Sequence, residues 1–310
     1  MPARDLAAGL ALRSFAAADG RRLRAATWEQ APGRERRGVV ALFHGNTEFI
    51  EKYGEVVGEL AQRGFAGATF DWRGQGASER RVADTRKAHV GDFTEFDLDM
   101  DAFLKEIVAN LTPGPRIALA HSMGGHLLLR RLHDRAGDFA CAVATAPMIA
   151  VNDGDYPAWL TRVVVRAYNL LGPSQTFVWG AAERDPLAMA FEANRVTSDR
   201  ARFARMQTML REHPEIRLAG PTFGWARAAY RSMDAMRGAG YAEAIATPTL
   251  IFGAGKDRIV RIESVRDFAK RLPHGCYIEI EDAEHEIMME NDSIRARFWT
   301  AFDGFVGRYV

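Results

Sequence analysis

A serine at position 122 stands in Ala120-His121-Ser122-Met123-Gly124, between an apolar run (Ile117 to Ala120) and a stretch of helical apolar spacing through Leu128 and Leu132. A hydroxyl on a tight turn between a buried strand and a helix is lifted off the sheet, where it can attack a carbonyl. The first amides of the helix then point at the negative charge that develops. Such a turn is crowded, so the residues two before and two after the serine must be small. Ala120 and Gly124 meet that need, Ala120 being one methyl larger than the usual glycine. The plain alternative is a serine that merely caps the helix starting at Met123.

A serine hydroxyl needs a general base, most often histidine. His285 follows the last strand-like run, Tyr277 to Ile280, and no histidine lies beyond it; His274 precedes that run. Its plain alternative is an exposed loop histidine among acids. The base in turn needs a carboxylate to hold its tautomer. Asp257 follows the run Pro248 to Phe252, while Asp153 and Asp155 compete for the role after the run Phe139 to Ala146. Donors for an oxyanion are expected from His44-Gly45-Asn46-Thr47, which ends the run Gly38 to Phe43. The amides of Asn46 and Met123 are the candidate pair, Gly45 permits close approach, and His44 is expected to brace the loop backbone. The order Ser, Asp, His along the chain is that of the α/β-hydrolases, not of trypsin or subtilisin.

The intervening segments read as the scaffold that would bring these groups together. Strand candidates at 12–18 and 21–28 flank Asp19-Gly20, a two-residue hairpin turn in this reading. Buried strands are expected at Gly38 to Phe43, Phe65 to Phe70, Ile117 to Ala120 and Phe139 to Ala146. Helical spacing marks Tyr53 to Ala61 and Met100 to Leu111, the latter broken by Pro113-Gly114-Pro115. This alternation implies βαβ units. From Pro147 to Met236 it lapses into helical stretches (Trp159 to Leu171, Ala201 to Leu210) and a turn-rich segment, Gly220 to Trp225. It resumes with Pro248 to Phe252, a helix over Glu263 to Leu272, Tyr277 to Ile280 and a final amphipathic helix from Ile294 to Tyr309. The expected architecture is α/β, an α/β-hydrolase fold. Its mostly parallel central sheet carries helices on both faces, with core segments 1–146 and 237–310 and a helical cap insertion at 147–236.

Composition excludes several classes. With 47% hydrophobic and 26% charged residues the chain is an ordinary globular sequence, and a net charge of +1 offers no electrostatic case for nucleic acid. No apolar stretch approaches the roughly 18 residues of a membrane span. Arg4 before the short apolar stretch Leu6 to Leu12 hints at a signal peptide, but Asp5 interrupts it; a cytoplasmic protein is expected. Cys141 and Cys276 read as buried reduced thiols, and no Cys/His spacing calls for a metal or other cofactor.

Several segments resemble the lysophospholipase and monoacylglycerol lipase branch of the α/β-hydrolases, from about Arg13 to Phe305. They are His44 to Glu48, the D-x-R-G-x-G-x-S loop Asp71 to Ser78, the elbow His121 to Gly125, Thr197 to Arg200, Gly220 to Trp225 and His285 to Ile287. The resemblance implies a serine hydrolase with Ser122, Asp257 and His285 as triad and Asn46 and Met123 as oxyanion amides. It would cleave carboxylic esters of monoacyl lipids through an acyl-enzyme, with no cofactor. Head group, chain length and oligomeric state stay open, as does contact of the cap or final helix with a membrane. Cap aromatics (Trp159, Phe177, Trp179, Phe203, Phe223, Trp225, Tyr230) either line an acyl tunnel or, for most of them, hold the cap together. Arg195, Arg200, Arg202 and Arg205 either meet a lipid phosphate or form a solvated face. The alternatives are a small-ester or aminopeptidase-like amide hydrolase and a non-catalytic ligand-binding member. An epoxide hydrolase or dehalogenase would need aspartate at position 122.

Overall fold

The runs of unbroken apolar residues become the middle strands of one sheet. The computed structural model describes residues 9–111, 113–152, 158–181 and 185–310. In chain order the strands are β1 (Ala11–Ala16), β2 (Arg22–Trp28), β3 (Gly38–Phe43), β4 (Phe65–Phe70), β5 (Lys87–Ala88), β6 (Arg116–His121), β7 (Cys141–Thr145), β8 (Gly220–Pro221), β9 (Thr249–Ala254) and β10 (Gly275–Ile280). The helices are α1 (Gly54–Gln62), α2 (Thr94–Glu106), α3 (Ser122–Asp134), α4 (Ala158–Leu171), α5 (Arg200–Glu212), α6 (Phe223–Met236), α7 (Ile262–Lys270) and α8 (Asp292–Val306). The main sheet has eight strands in the order β1-β2-β4-β3-β6-β7-β9-β10. β2 runs antiparallel to both its neighbours, β1 and β4, and every pairing from β4 to β10 is parallel. This is the α/β-hydrolase architecture.

Successive side chains of a strand point to opposite faces, and β3 shows why it had to be apolar throughout. Val39, Ala41 and Phe43 join the core made with α2, α3, α6 and α7, including Phe103, Leu127, Met233 and Phe268. Val40 and Leu42 join the other core, with Val56 and Leu60 of α1 and Phe298 and Phe302 of α8. Each fully buried side chain of this size contributes about 1.5–3 kcal/mol relative to exposure. The sheet is thus clamped from both sides, and the loops at its carboxyl edge inherit a fixed base.

The structure departs from the sequence reading at several points. The hairpin at Asp19-Gly20 has three loop residues. Ala17 N–H donates to Arg21 C=O at 2.9 Å, Gly20 N–H donates to Ala17 C=O, and only Gly20 takes a positive φ, +80°. That is a turn followed by one left-handed glycine, which spares Asp19 the strain of a two-residue loop. The turn-rich segment after Gly220 opens a helix, α6. Thr222 caps it by accepting from Trp225 N–H, and its buried face combines Phe223, Trp225, Met233 and Met236 with the small Ala226, Ala228, Ala229 and Ser232. The two-residue β8 pairs with β5, outside the main sheet. Both cysteines are unpaired, but Cys276 is exposed because it lies on the edge strand β10. Residues 1–8 and the competing acids Asp153 and Asp155 lie outside the described residues. Among the described residues no helix is long and apolar enough to cross a membrane.

Candidate active site

Strand β6 ends at His121 and α3 begins at Ser122, which is held at φ +50°. A non-glycine residue in this region is strained by roughly 1–3 kcal/mol and persists only where the surroundings over-determine it. Here the surroundings are tight. A Cβ at Gly124 would fall 2.5 Å from the carbonyl oxygen of Phe43 and 2.6 Å from that of His44, so only glycine lets α3 approach the end of β3. The Ser122 carbonyl accepts from Met148 N–H at 3.0 Å, which fixes the turn from the other side. Ala120 is wholly buried in β6.

The three polar groups meet at the carboxyl edge. His285 Nε2 lies 2.9 Å from Ser122 Oγ, and its Nδ1 lies 2.6 Å from Asp257 Oδ2. A carboxylate can only accept, so Nδ1 carries the proton and Nε2 is left to accept from the serine hydroxyl. The other oxygen of Asp257 accepts from Ile259 N–H at 2.8 Å and Val260 N–H at 2.9 Å. The loops after β9 and β10 are stitched together by Gly255 N–H to Ile280 C=O and Lys256 N–H to Ala283 C=O. Burial opposes ionisation of Asp257, but the facing His285 and the two amides hold its carboxyl below the ordinary value. For His285 burial again opposes charge; Asp257, then Glu286 and Glu48, outweigh it and raise the imidazole above its ordinary value.

The loop after β3 lies directly against this turn. A Cβ at Gly45 would sit 2.8 Å from Glu48 Oε2, 3.1 Å from the His121 ring and 3.2 Å from Ser122 Cβ, so the glycine lets the loop close on the serine turn. Among the described residues, the N–H groups of Asn46 and Met123 have no acceptor. Gln75, from the Asp71 to Ser78 loop, steadies both flanks. Its carbonyl accepts from Thr47 N–H at 2.7 Å, and its amide donates to Asn46 Oδ1 at 3.1 Å and touches Met123 sulfur at 3.8 Å. His44 braces the loop as expected, with Nδ1 2.8 Å from Gly45 O, while Asp71 receives Ile50 N–H and Ala77 N–H.

A buried ionic group beside the Ser122–His285–Asp257 contacts was not anticipated. Lys52 Nζ lies 2.7 Å from Glu48 Oε1 and 2.6 Å from Glu286 Oε1, and Tyr53 donates to Glu48 Oε2 at 2.8 Å. His121 stacks obliquely on His285, ring centres 4.7 Å apart, with Nδ1 3.1 Å from Thr145 Oγ1. Burial pushes the His121 imidazole down to about 3, so it is neutral near pH 7. Glu48, His121 and Glu286 bring potential metal-ligand atoms within 4.8 Å of one another. The Lys52 ammonium already bridges the two carboxylates, so the cation of this cluster is a side chain. The four-residue spacing of Glu48 and Lys52 was the one available signal.

The flanking arginines and aromatics are mostly engaged with the protein. Arg202 and Arg205 pair with Glu55, and Arg200 with Glu192. Phe223 stacks on Tyr168 with ring centres 4.0 Å apart, Trp225 meets Phe93 at 5.5 Å, and Phe203 meets Phe191 at 5.6 Å. The Phe223–Tyr168 and Phe203–Phe191 contacts lie within the helical segment, and Trp225–Phe93 joins it to the core. Trp159 and Trp179 stand exposed.

The sequence matches the family described as serine aminopeptidase, S33, over residues 34–292. It is 31% identical over 282 residues to lysophospholipase L2 of Escherichia coli, covering 87% of this chain and 81% of that protein. It is 32% identical over 184 residues to a monoacylglycerol lipase of Mycolicibacterium smegmatis, covering 57% of this chain and 61% of that protein. A soluble variant of monoglyceride lipase from Saccharomyces cerevisiae, solved with a substrate analog, superposes with a TM-score of 0.79. The two share 19% identity, and the match covers 100% of this chain and 98% of that one.

Proposed function

The chain belongs to the α/β-hydrolase family described as serine aminopeptidase, S33, and from that premise we propose that it hydrolyses carboxylic esters of monoacyl lipids through an acyl-enzyme on Ser122. The reading rests on one observation, the contact of His285 with Ser122 at 2.9 Å and with Asp257 at 2.6 Å. In this mechanism Ser122 Oγ attacks the ester carbonyl while His285 Nε2 takes its proton. The oxyanion is received by the amides of Asn46 and Met123. The C–O bond breaks, and His285 returns the proton to the departing alcohol. Water then attacks the acyl carbonyl while His285 takes its proton, the Ser122 Oγ–acyl bond breaks, and His285 returns the proton to Oγ as the fatty acid leaves. Asp257 keeps the ring oriented and offsets the imidazolium charge.

The lipid substrate class is supported by the likeness to a lysophospholipase and a monoacylglycerol lipase. In this reading residues 147–236 cap the site. The protein works in the cytoplasm, where two unpaired cysteines are at home, and it meets the bilayer peripherally. Trp159, Val163, Leu170, Leu171 and Trp179 are exposed on and just after α4, and apolar groups gathered in this way suit a lipid surface.

A fluorophosphonate probe should label the wild type and not Ser122→Ala. Turnover of lysophosphatidylcholine and monoacylglycerol should exceed that of aminoacyl anilides. Anilides turned over faster than every acyl ester would overturn the substrate assignment, and labelling of Ser122→Ala would overturn the nucleophile.

A further inference from the structure

We propose that Lys52 is a positioning residue that clasps the oxyanion loop to the loop carrying the base, through Glu48 on one side and Glu286 on the other. The inference rests on the catalytic reading above and concerns a side chain that touches none of the reacting groups in it.

The chain of contacts is continuous. Gly45 N–H, next to the candidate oxyanion amide of Asn46, donates to Glu48 Oε2. Glu48 Oε1 takes Lys52 Nζ at 2.7 Å, and Lys52 Nζ reaches Glu286 Oε1 at 2.6 Å, across 234 positions of sequence. Glu286 directly follows His285, and its own N–H donates to Val196 C=O at 2.7 Å in the segment leading to α5. One ammonium therefore joins the two loops that, in the proposed mechanism, must hold an oxyanion amide and an imidazole at a set separation.

The surroundings make the joint stiff. The side chains of Lys52, Glu48 and Glu286 are 7%, 5% and 10% exposed. Beside them lies a small pocket of about 20 Å³, lined by Phe203, Met206, Met209 and Met289 and by Arg202 and Arg205, with room for about one water. Bulk water does not screen the pair of contacts, and both carboxylates lose their shared cation if Lys52 is removed. Burial opposes ionisation of Glu48, and Lys52 together with His121 and His44 outweighs it; burial and the neighbouring Glu48 raise Glu286 against the pull of Lys52. The simplest alternative is a generic buried ion pair that stabilises the fold and nothing else.

The two readings separate on the pH profile. His285 is faced by Asp257, Glu286 and Glu48 and stacks on the neutral His121, with Lys52 behind the two glutamates. Removing a positive charge here raises the imidazole pKa; removing a negative charge lowers it. Lys52→Met, assayed on a soluble short-chain nitrophenyl ester, should lose about 10- to 100-fold in kcat, the scale on which misplaced catalytic geometry costs rate, with KM nearly unchanged. The acid limb of kcat/KM should move to higher pH. Glu286→Gln should move that limb to lower pH, Lys52→Arg should restore most of the rate, and Lys52→Met/Glu286→Gln should recover part of the loss of Lys52→Met.

A folded Lys52→Met with wild-type kcat and an unmoved acid limb overturns the proposal, as does a loss confined to KM. If Lys52→Met does not fold, Glu286→Gln carries the test, and an unmoved limb in that variant is equally decisive. A wild type that fluorophosphonate does not label would instead refute the catalytic reading beneath it.

Discussion

Ser122 Oγ and His285 Nε2 stand 2.9 Å apart although 163 positions separate the residues in the chain. Nothing local brings them together. They meet because β6 and β10 both deliver their carboxyl ends to one edge of a sheet clamped by helices on its two faces. If that contact is the proton path, the hydroxyl is indispensable. Ser122→Ala should abolish fluorophosphonate labelling and lower kcat on a nitrophenyl ester by about 10⁵- to 10⁶-fold, the scale seen when a triad nucleophile is removed elsewhere. Its thermal midpoint should stay at or above that of wild type, since alanine removes only the hydroxyl and keeps the Cβ.

Asp257 has both oxygens committed, one to His285 Nδ1 and the other to two backbone amides. Asparagine can keep the backbone contacts but would offer the ring the wrong tautomer. Asp257→Asn should therefore lower kcat by about 10⁴-fold while KM changes little. Asp153→Asn should leave turnover within about twofold. Steady-state kinetics on the two variants, side by side, decides between the acids, and the reverse ranking would remove Asp257 from the triad.

As the proposed base, His285 works only when neutral. The imidazole of His285 is raised above its ordinary value of 6.5, chiefly by Asp257 acting against burial. Activity is thus low while the ring is protonated and grows as pH rises through a midpoint above 6.5. A kcat/KM profile from pH 5 to 9 should show that single ascending limb. In Asp257→Asn the main charge holding the proton is gone, so the limb of the residual activity should move to lower pH. A flat profile between pH 5 and 8 in the wild type would exclude His285 as the base.

Much of this site was legible in the sequence because its parts sit at strand ends, and strand ends are marked by where an apolar run stops. β3, β6, β9 and β10 stop at Phe43, His121, Ala254 and Ile280, within one to five residues of Asn46, Ser122, Asp257 and His285. What stayed hidden was stabilised by means that leave no apolar period. In α6 the buried Ala226, Ala228, Ala229 and Ser232 interrupt the apolar period, and its bulky Phe223 and Trp225 fall in the turn-rich start, so Thr222 as a cap was the clearest mark of the helix. In the Glu48–Lys52–Glu286 group the spacing marks only the first pair; the contact of Lys52 with Glu286 joins distant loops, which composition and spacing cannot reveal.

The two small residues around Ser122 are not equivalent. At Gly124 a Cβ would strike backbone oxygens of Phe43 and His44 at 2.5 and 2.6 Å, and backbone at the end of a central strand has nowhere to move. Gly124→Ala should displace the elbow from the oxyanion loop and cost at least 100-fold in kcat/KM, with a fall in thermal midpoint. Ala120 already carries a Cβ in this strand and is fully buried. Ala120→Gly restores the commoner pattern without a clash and loses only strand rigidity, about 0.5–1 kcal/mol by the usual backbone cost. Its activity should remain within about threefold, as read by kinetics and thermal melting of both variants.

The exposed face of α4 sets the last expectation. Trp159, Val163 and Leu170 recur at helical spacing, and Leu171 and Trp179 follow, all exposed. Arg166 shares that face and is exposed as well. An apolar stripe with a basic residue in it suits an anionic bilayer better than water. Leu170→Glu/Leu171→Glu should weaken co-sedimentation with vesicles containing anionic lipid by about tenfold or more, because each substitution removes apolar contact and adds like charge. Hydrolysis of a soluble short-chain ester should be unaffected, since neither side chain belongs to the triad or the oxyanion loop. Hydrolysis of vesicle-borne monoacylglycerol should fall with the binding. Vesicle binding equal to wild type in this variant would mean that the face serves something other than a membrane.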